Sequence, residues 1–207
     1  LAADPTPVEQ ADQAIARLNT SSNYSWTTKI EMRDMPFTPG PVKGQAESSG
    51  VALLSQEFND NTVRVAFKGE KVILKVEDKW ELLDEVEGPA AMMGGWLAYN
   101  GTAIQEATNL LKKVKELKPA DGVLRGDFTD AGAKDLLTFR PRRGQADTPP
   151  PPTPKNAKGS VKFWVKDGAL VKFESHLSGK IAFGPDQEER ELDITRTTEI
   201  QDVGKTK

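Results

Sequence analysis

The sequence predicts an α+β protein: an antiparallel sheet buried on one face, with helices gathered at the start and in the middle of the chain. Three observations carry this. Stretches of apolar–polar alternation recur along the 207 residues and are separated by glycine- or asparagine-containing turns. One of them, "FWVKDGALVKFES", is a hairpin around an Asp-Gly pair. The helical middle opens on Thr102 and Gln105, which have the spacing of a capping box.

From Thr6 to Leu18, the apolar residues Val8, Ala11, Ile15 and Leu18 fall three or four apart, which makes an amphipathic opening helix with Pro7 in its first turn. "NYSWTTKIEMR" then alternates, with Tyr24, Trp26, Thr28, Ile30 and Met32 on one side of a long strand. "MPFTPGP" at 35–41 interrupts it, and weaker strands at 42–49 and 51–58 end at the turn Asn59-Asp60-Asn61. In the next meander a Gly69-Glu70 turn pairs Phe67 with Val72 and Val65 with Leu74. A three-residue reversal at Glu77-Asp78-Lys79 then sets Trp80 against Val76 and Leu82 against Leu74.

"PAAMMGGWLAYN" is an apolar segment in which Pro89 starts a short helix and Gly94-Gly95 bends it. The capped helix carries Ile104, Ala107, Leu111, Val114 and Leu117 on one face until Pro119 stops it. A short strand near 123–128 and a helix from Thr129 with Ala133, Leu136, Leu137 and Phe139 follow. Residues 141–158 read as a proline-rich loop, since five of the chain's fourteen prolines lie between 149 and 154. We expect this loop to lie within one domain spanning 5–204, because the meander beyond it is too small to fold alone.

In the Asp-Gly hairpin, a two-residue turn would place Phe163 opposite Lys172 and mix apolar and charged groups on both faces. A three-residue loop, Lys166-Asp167-Gly168, pairs Val165 with Ala169, Phe163 with Val171 and Val161 with Phe173. That register leaves one apolar face and is the one expected. The last strand, "EERELDITRTTEI", puts Leu192, Ile194 and Arg196 on one side.

Composition narrows the function. A net charge of −3 gives no electrostatic footprint for nucleic acid, and no apolar run approaches the ~20 residues of a membrane-spanning helix. The absence of cysteine excludes disulfides and thiolate metal sites. "LAAD" at the N-terminus fits the end of a secretory signal, and an arbitrary boundary fits equally. The only histidine, His176, falls on the polar side of its strand, so no base is placed beside a nucleophile. Gly94-Gly95 suits a helix bend better than a phosphate cradle, and the acidic clusters at 84–87 and 188–191 lack the spacing of a calcium loop. Arg140, Arg142 and Arg143 suit a solvated loop better than an anion grip. We therefore expect no enzyme, no cofactor and no metal. The candidate ligand-binding residues are Trp26, Trp80, Met92, Met93 and Trp96, large apolar side chains that either pack as core or wall an adaptable pocket. Trp164 faces outward.

The order of elements resembles the lipoprotein-localisation-factor superfamily, the LolA-like periplasmic carriers and related glycolipid-carrying lipoproteins. "KVEDKWELL", "DGVLRGDFTDAGAKDLL" and "VKFWVKDGALVKFES" carry the resemblance. It implies one large curved antiparallel sheet, an unclosed half-barrel whose concave face is covered by helices. The implied ligand is a lipid or lipoprotein acyl chain held in the hollow, the implied place the periplasm or cell envelope, and an envelope protein partner is a further expectation. The alternative is an envelope scaffold whose hollow is filled by its own helices.

Overall fold

In a computed structural model, which describes residues 4–33, 39–58, 61–138, 152–183 and 188–206, helix α1 (Pro7–Asn19) opens the chain, with Thr6 and Glu9 closing a capping box. A meander follows: β1 (Asn23–Met32), β2 (Val42–Glu47), β3 (Val51–Phe58), β4 (Asn61–Lys68), β5 (Lys71–Val76) and β6 (Lys79–Leu82). A 3-10 turn over Leu83–Glu85 leads to α2 (Gly88–Tyr99) and the capped α3 (Ala103–Leu111). Short strands β7 (Lys118–Ala120) and β8 (Val123–Asp127) precede α4 (Asp130–Leu137). The chain closes with β9 (Lys155–Lys166), β10 (Ala169–Phe183) and β11 (Glu188–Gln201).

All these strands join one antiparallel sheet in the order β6-β5-β4-β3-β2-β1-β11-β10-β9-β8-β7. The first and last strands lie side by side, so the two meanders fuse at the centre and the sheet ends unclosed at β6 and β7. The fold is α+β, a curved half-barrel with helices on its inner face. Strict alternation makes that face: Tyr24, Trp26 and Ile30 on β1, and Ala52 and Leu54 on β3, are buried. Phe163 and Phe173 meet directly across β9–β10, with ring centroids 6.3 Å apart.

The β9–β10 hairpin differs from the expected register. It turns on two residues, Asp167 and Gly168, both at positive φ (52° and 71°). The phase error this creates is repaired by a bulge between Leu170 and Lys172 that leaves Val171 unpaired and 38% exposed. Leu170 takes the inner place, and Phe163 meets Phe173 rather than Val171.

The β5–β6 turn is also one residue shorter than expected. Val76 pairs with Lys79, and Trp80 and Leu82 lie opposite Lys75 and Ile73, on the outer face. Every residue of this edge strand is exposed, so no buried face selects the register.

Three further differences concern the middle of the chain. α2 runs unbroken through Gly94-Gly95. α3 stops at Leu111 because backbone at 113–115 bonds to 127–129 instead of to itself (Lys115 N–H to Asp127 O, 2.8 Å; Thr129 N–H to Lys113 O, 2.9 Å). Residues 155–158, expected in the proline loop, begin β9. Most of that loop, with Phe139 and the three arginines beside it, lies outside the described residues, as do Leu1–Ala3, Asn59-Asp60 and the start of the 35–41 break.

Candidate functional site

The covered inner face is where chemistry and shape converge. α2 lies over β3–β5, while α1 and α4 lie over β9 and β10. α3 packs on α1 and reaches β1 and β11 through side chains. α1 packs on α3, and Ala11 and Ala14 of α1 and Ala103 and Ala107 of α3 are all fully buried. A buried alanine lets a helix come close to its neighbour because it fills almost no space.

Trp26 is the largest side chain in the hollow. Its indole lies flat across Gly44, the residue directly opposite on β2, so that a Cβ there would stand 2.1 Å from Cζ2. Tyr24 packs beside it, with ring centroids 5.4 Å apart. Burial pushes the Tyr24 phenol above its ordinary pKa, against the opposite pull of hydrogen bonds with the Thr102 side chain and the Ile104 backbone.

Polar groups also enter this face. Thr28 and Thr198 are buried opposite one another and share a 2.8 Å hydrogen bond between hydroxyls. Two residues along β11, Arg196 reaches up to the helices: Nε donates to Glu106 Oε1 on α3 at 2.8 Å, and Nη2 to Asn100 Oδ1 at the end of α2 at 2.9 Å. The Arg196 and Glu106 side chains are 20% and 14% exposed, so this bond holds both helices to the middle of the sheet in poorly screened surroundings. Sequence reasoning placed Arg196 on the inner side but found no role for it. Its partners, 90 and 96 residues away in the chain, leave no local signal.

The candidate ligand residues divide. Trp26 is inside. Met93 and Trp96 are half-buried on the flanks of α2, and Met92 stands out from it at 73% exposure. Trp80 lies on the opposite face of the sheet at its free edge, 44% exposed. α2 itself contains no charged residue, and it touches the sheet through Gly94, whose missing side chain lets Leu74 and Leu83 close in.

The outer face is a solvated charge lattice. His176 Nε2 bonds Asp193 at 2.9 Å, Lys162 pairs with Glu174 at 2.7 Å, and Lys172 sits 4.8 Å over the Trp164 ring. An open cleft of about 340 Å³ also lies away from the hollow, among Thr153, Lys155, Lys180 and Glu189. Lys155 and Glu189 pair across its wall, and that pairing keeps the Glu189 carboxyl below its ordinary pKa. Among the described residues no group of histidine and carboxylate side chains is placed to hold a metal ion, and no helix is long and apolar enough to cross a membrane.

No family model matches the chain, and no curated protein matches its sequence. Its course is similar to three solved structures. The Mycobacterium tuberculosis lipoprotein LppX shares 12% identity at a TM-score of 0.49, over 99% of this chain and 98% of that one. LprF from Mycobacterium bovis shares 10% at 0.47, over 97% and 94%. A LolA superfamily protein from Nitrosomonas europaea shares 8% at 0.37, over 99% and 95%. Likeness at this level concerns the path of the chain and says nothing of ligand or site.

Proposed function

We propose that this is an exported cell-envelope protein whose residues 5–204 form one domain that binds a lipid or other apolar ligand, such as a lipoprotein acyl chain, between sheet and helices. It works by burial, at ~25 cal/mol per Å² of alkyl surface, and makes or breaks no bond. The observation that carries this reading is α2. A helix apolar on every side belongs where both faces meet apolar matter, yet this one lies between the sheet and solvent with Met92 outside. Trp26, Met93 and Trp96 are the ligand-facing residues in this reading, with Met92 and Trp80 at the periphery, where an envelope protein partner has access to them.

The second reading is a scaffold without a ligand. It is favoured by the packing of α1 on α3, each with buried alanines, and by the Arg196 bonds that hold α2 and α3 down. Native mass spectrometry of protein purified from an envelope-containing host separates the two. A carrier retains a reproducible lipid mass that denaturation releases. Ligand-free protein that also takes up no added alkyl chain is a scaffold.

A further inference from the structure

The four polar side chains buried among the described residues, Thr28, Gln56, Ser175 and Thr198, all lie on the inner face of the sheet. Thr28 and Thr198 satisfy one another. Gln56 is different. It is 1% exposed, its Nε2 donates to the Gly40 carbonyl at 2.7 Å, and its Oε1 is buried with no donor in reach among the described residues. The amide cannot be turned over to cure this, because Oε1 would then face the Gly40 carbonyl, oxygen against oxygen. The unpaired acceptor is therefore fixed in place by the backbone.

Its surroundings are apolar. Val42 and Val63 stand directly opposite on the neighbouring strands, and Leu54 is the next inward residue on β3. Leu54 belongs to the cross-strand row Leu54, Val65, Leu74 and Glu81, and α2 seats Gly94 on Leu74. Gln56 thus shares the inner face of β3 with the residues over which α2 lies. A buried acceptor in such a place favours any guest that brings an N–H or O–H, and disfavours one that brings only acceptors. A carboxylate or phosphate is repelled by Oε1, and an ammonium would carry an unpaired charge into the interior.

Resting on the carrier reading, we infer that Gln56 selects the ligand class: an uncharged amphiphile with a hydroxyl or amide N–H next to its alkyl chain. The test uses delipidated protein offered equimolar hexadecanol and hexadecyl methyl ether, which share the chain and differ in the donor. Bound material is recovered by gel filtration and extraction, and its alcohol-to-ether ratio is read by gas chromatography. The wild-type ratio is expected to be about tenfold higher than that of Gln56→Met, which keeps the side-chain shape without the amide. Gln56→Leu, with its melting curve, guards against a fold defect in the first variant. Equal ratios in wild type and both variants would overturn the role of Gln56 and leave the carrier reading standing. An alcohol preference that survives in both variants places the donor contact elsewhere and overturns it too. Retention of neither compound removes the carrier reading and this inference together.

Discussion

Replacing Gly44 by alanine tests the core of the hollow with one carbon atom. In an ordinary strand the change stabilises, by about 0.5–1 kcal/mol, because glycine has more backbone freedom to lose. Here the new Cβ would lie 2.1, 2.2 and 2.6 Å from three indole atoms of Trp26, more than an ångström short of the ~3.5 Å that carbon atoms keep for the nearest two. The ring must shift or leave. A local shift costs about 1–3 kcal/mol, as overpacking usually does. Full ejection forfeits the burial of an indole, about 4–6 kcal/mol at ~25 cal/mol per Å². After the backbone gain, a net loss of up to ~2.5 kcal/mol is expected for a local shift and of about 3–5.5 kcal/mol for ejection, at roughly 2–4 °C in Tm per kcal/mol for a chain of this length. Thermal melts by circular dichroism measure it. A double-mutant cycle then assigns the cause, since Trp26→Leu should cost at least ~1 kcal/mol less in the Gly44→Ala background than alone. A Gly44→Ala protein that melts at or above the parent temperature would refute the packing of Trp26 on Gly44.

Other outcomes follow from neighbouring features. Gly95→Ala should raise stability by up to ~1 kcal/mol, because its Cβ meets nothing within 4 Å in α2, whereas Gly94→Ala, 2.9 Å from Leu74 Cδ1, should lower it; chemical denaturation reads both signs. Arg196→Met should cost about 2–4 kcal/mol by stranding Glu106, and adding Glu106→Leu should restore most of it; denaturant midpoints of the single and double variants decide. The Tyr24 phenol has a raised pKa in the folded state, so its contribution is fully present below the ordinary value of 10.0 and is lost as pH rises from there through the folded pKa. Tyr24→Phe should therefore flatten the loss of stability above about pH 10, measured by melts across that range. Deleting Ala146 to Thr153 should leave one cooperative unfolding transition, since loop length costs little; two transitions in the intact protein would instead show two domains.

Much of the fold was legible because burial writes itself into local pattern. Tyr24, Trp26, Thr28, Ile30 and Met32 alternate because one face of β1 is covered, and the capping box at Thr102 states its helix start in four residues. The pattern failed where that cause was missing. β6 buries neither face, so its sequence could not say that Trp80 and Leu82 turn outward. In the β9–β10 hairpin the pattern named a turn region correctly, but a bulge at Val171 changed the count. Alternation alone does not reveal an extra residue.

The sequence by itself determined the α+β class, the inner residues of β1 and the N-terminal cap of α3, because each depends on neighbours within a few positions. Only the tertiary structure decided which groups share the hollow. Arg196 meets Glu106 and Asn100, Trp26 lies on Gly44, and α3 yields its last turn to pairing with residues 127–129. Gln56 keeps an unpaired oxygen because the Gly40 carbonyl holds its amide from sixteen residues away. Such contacts are set by sheet register and by the way helices seat on it, which short-range periodicity does not encode.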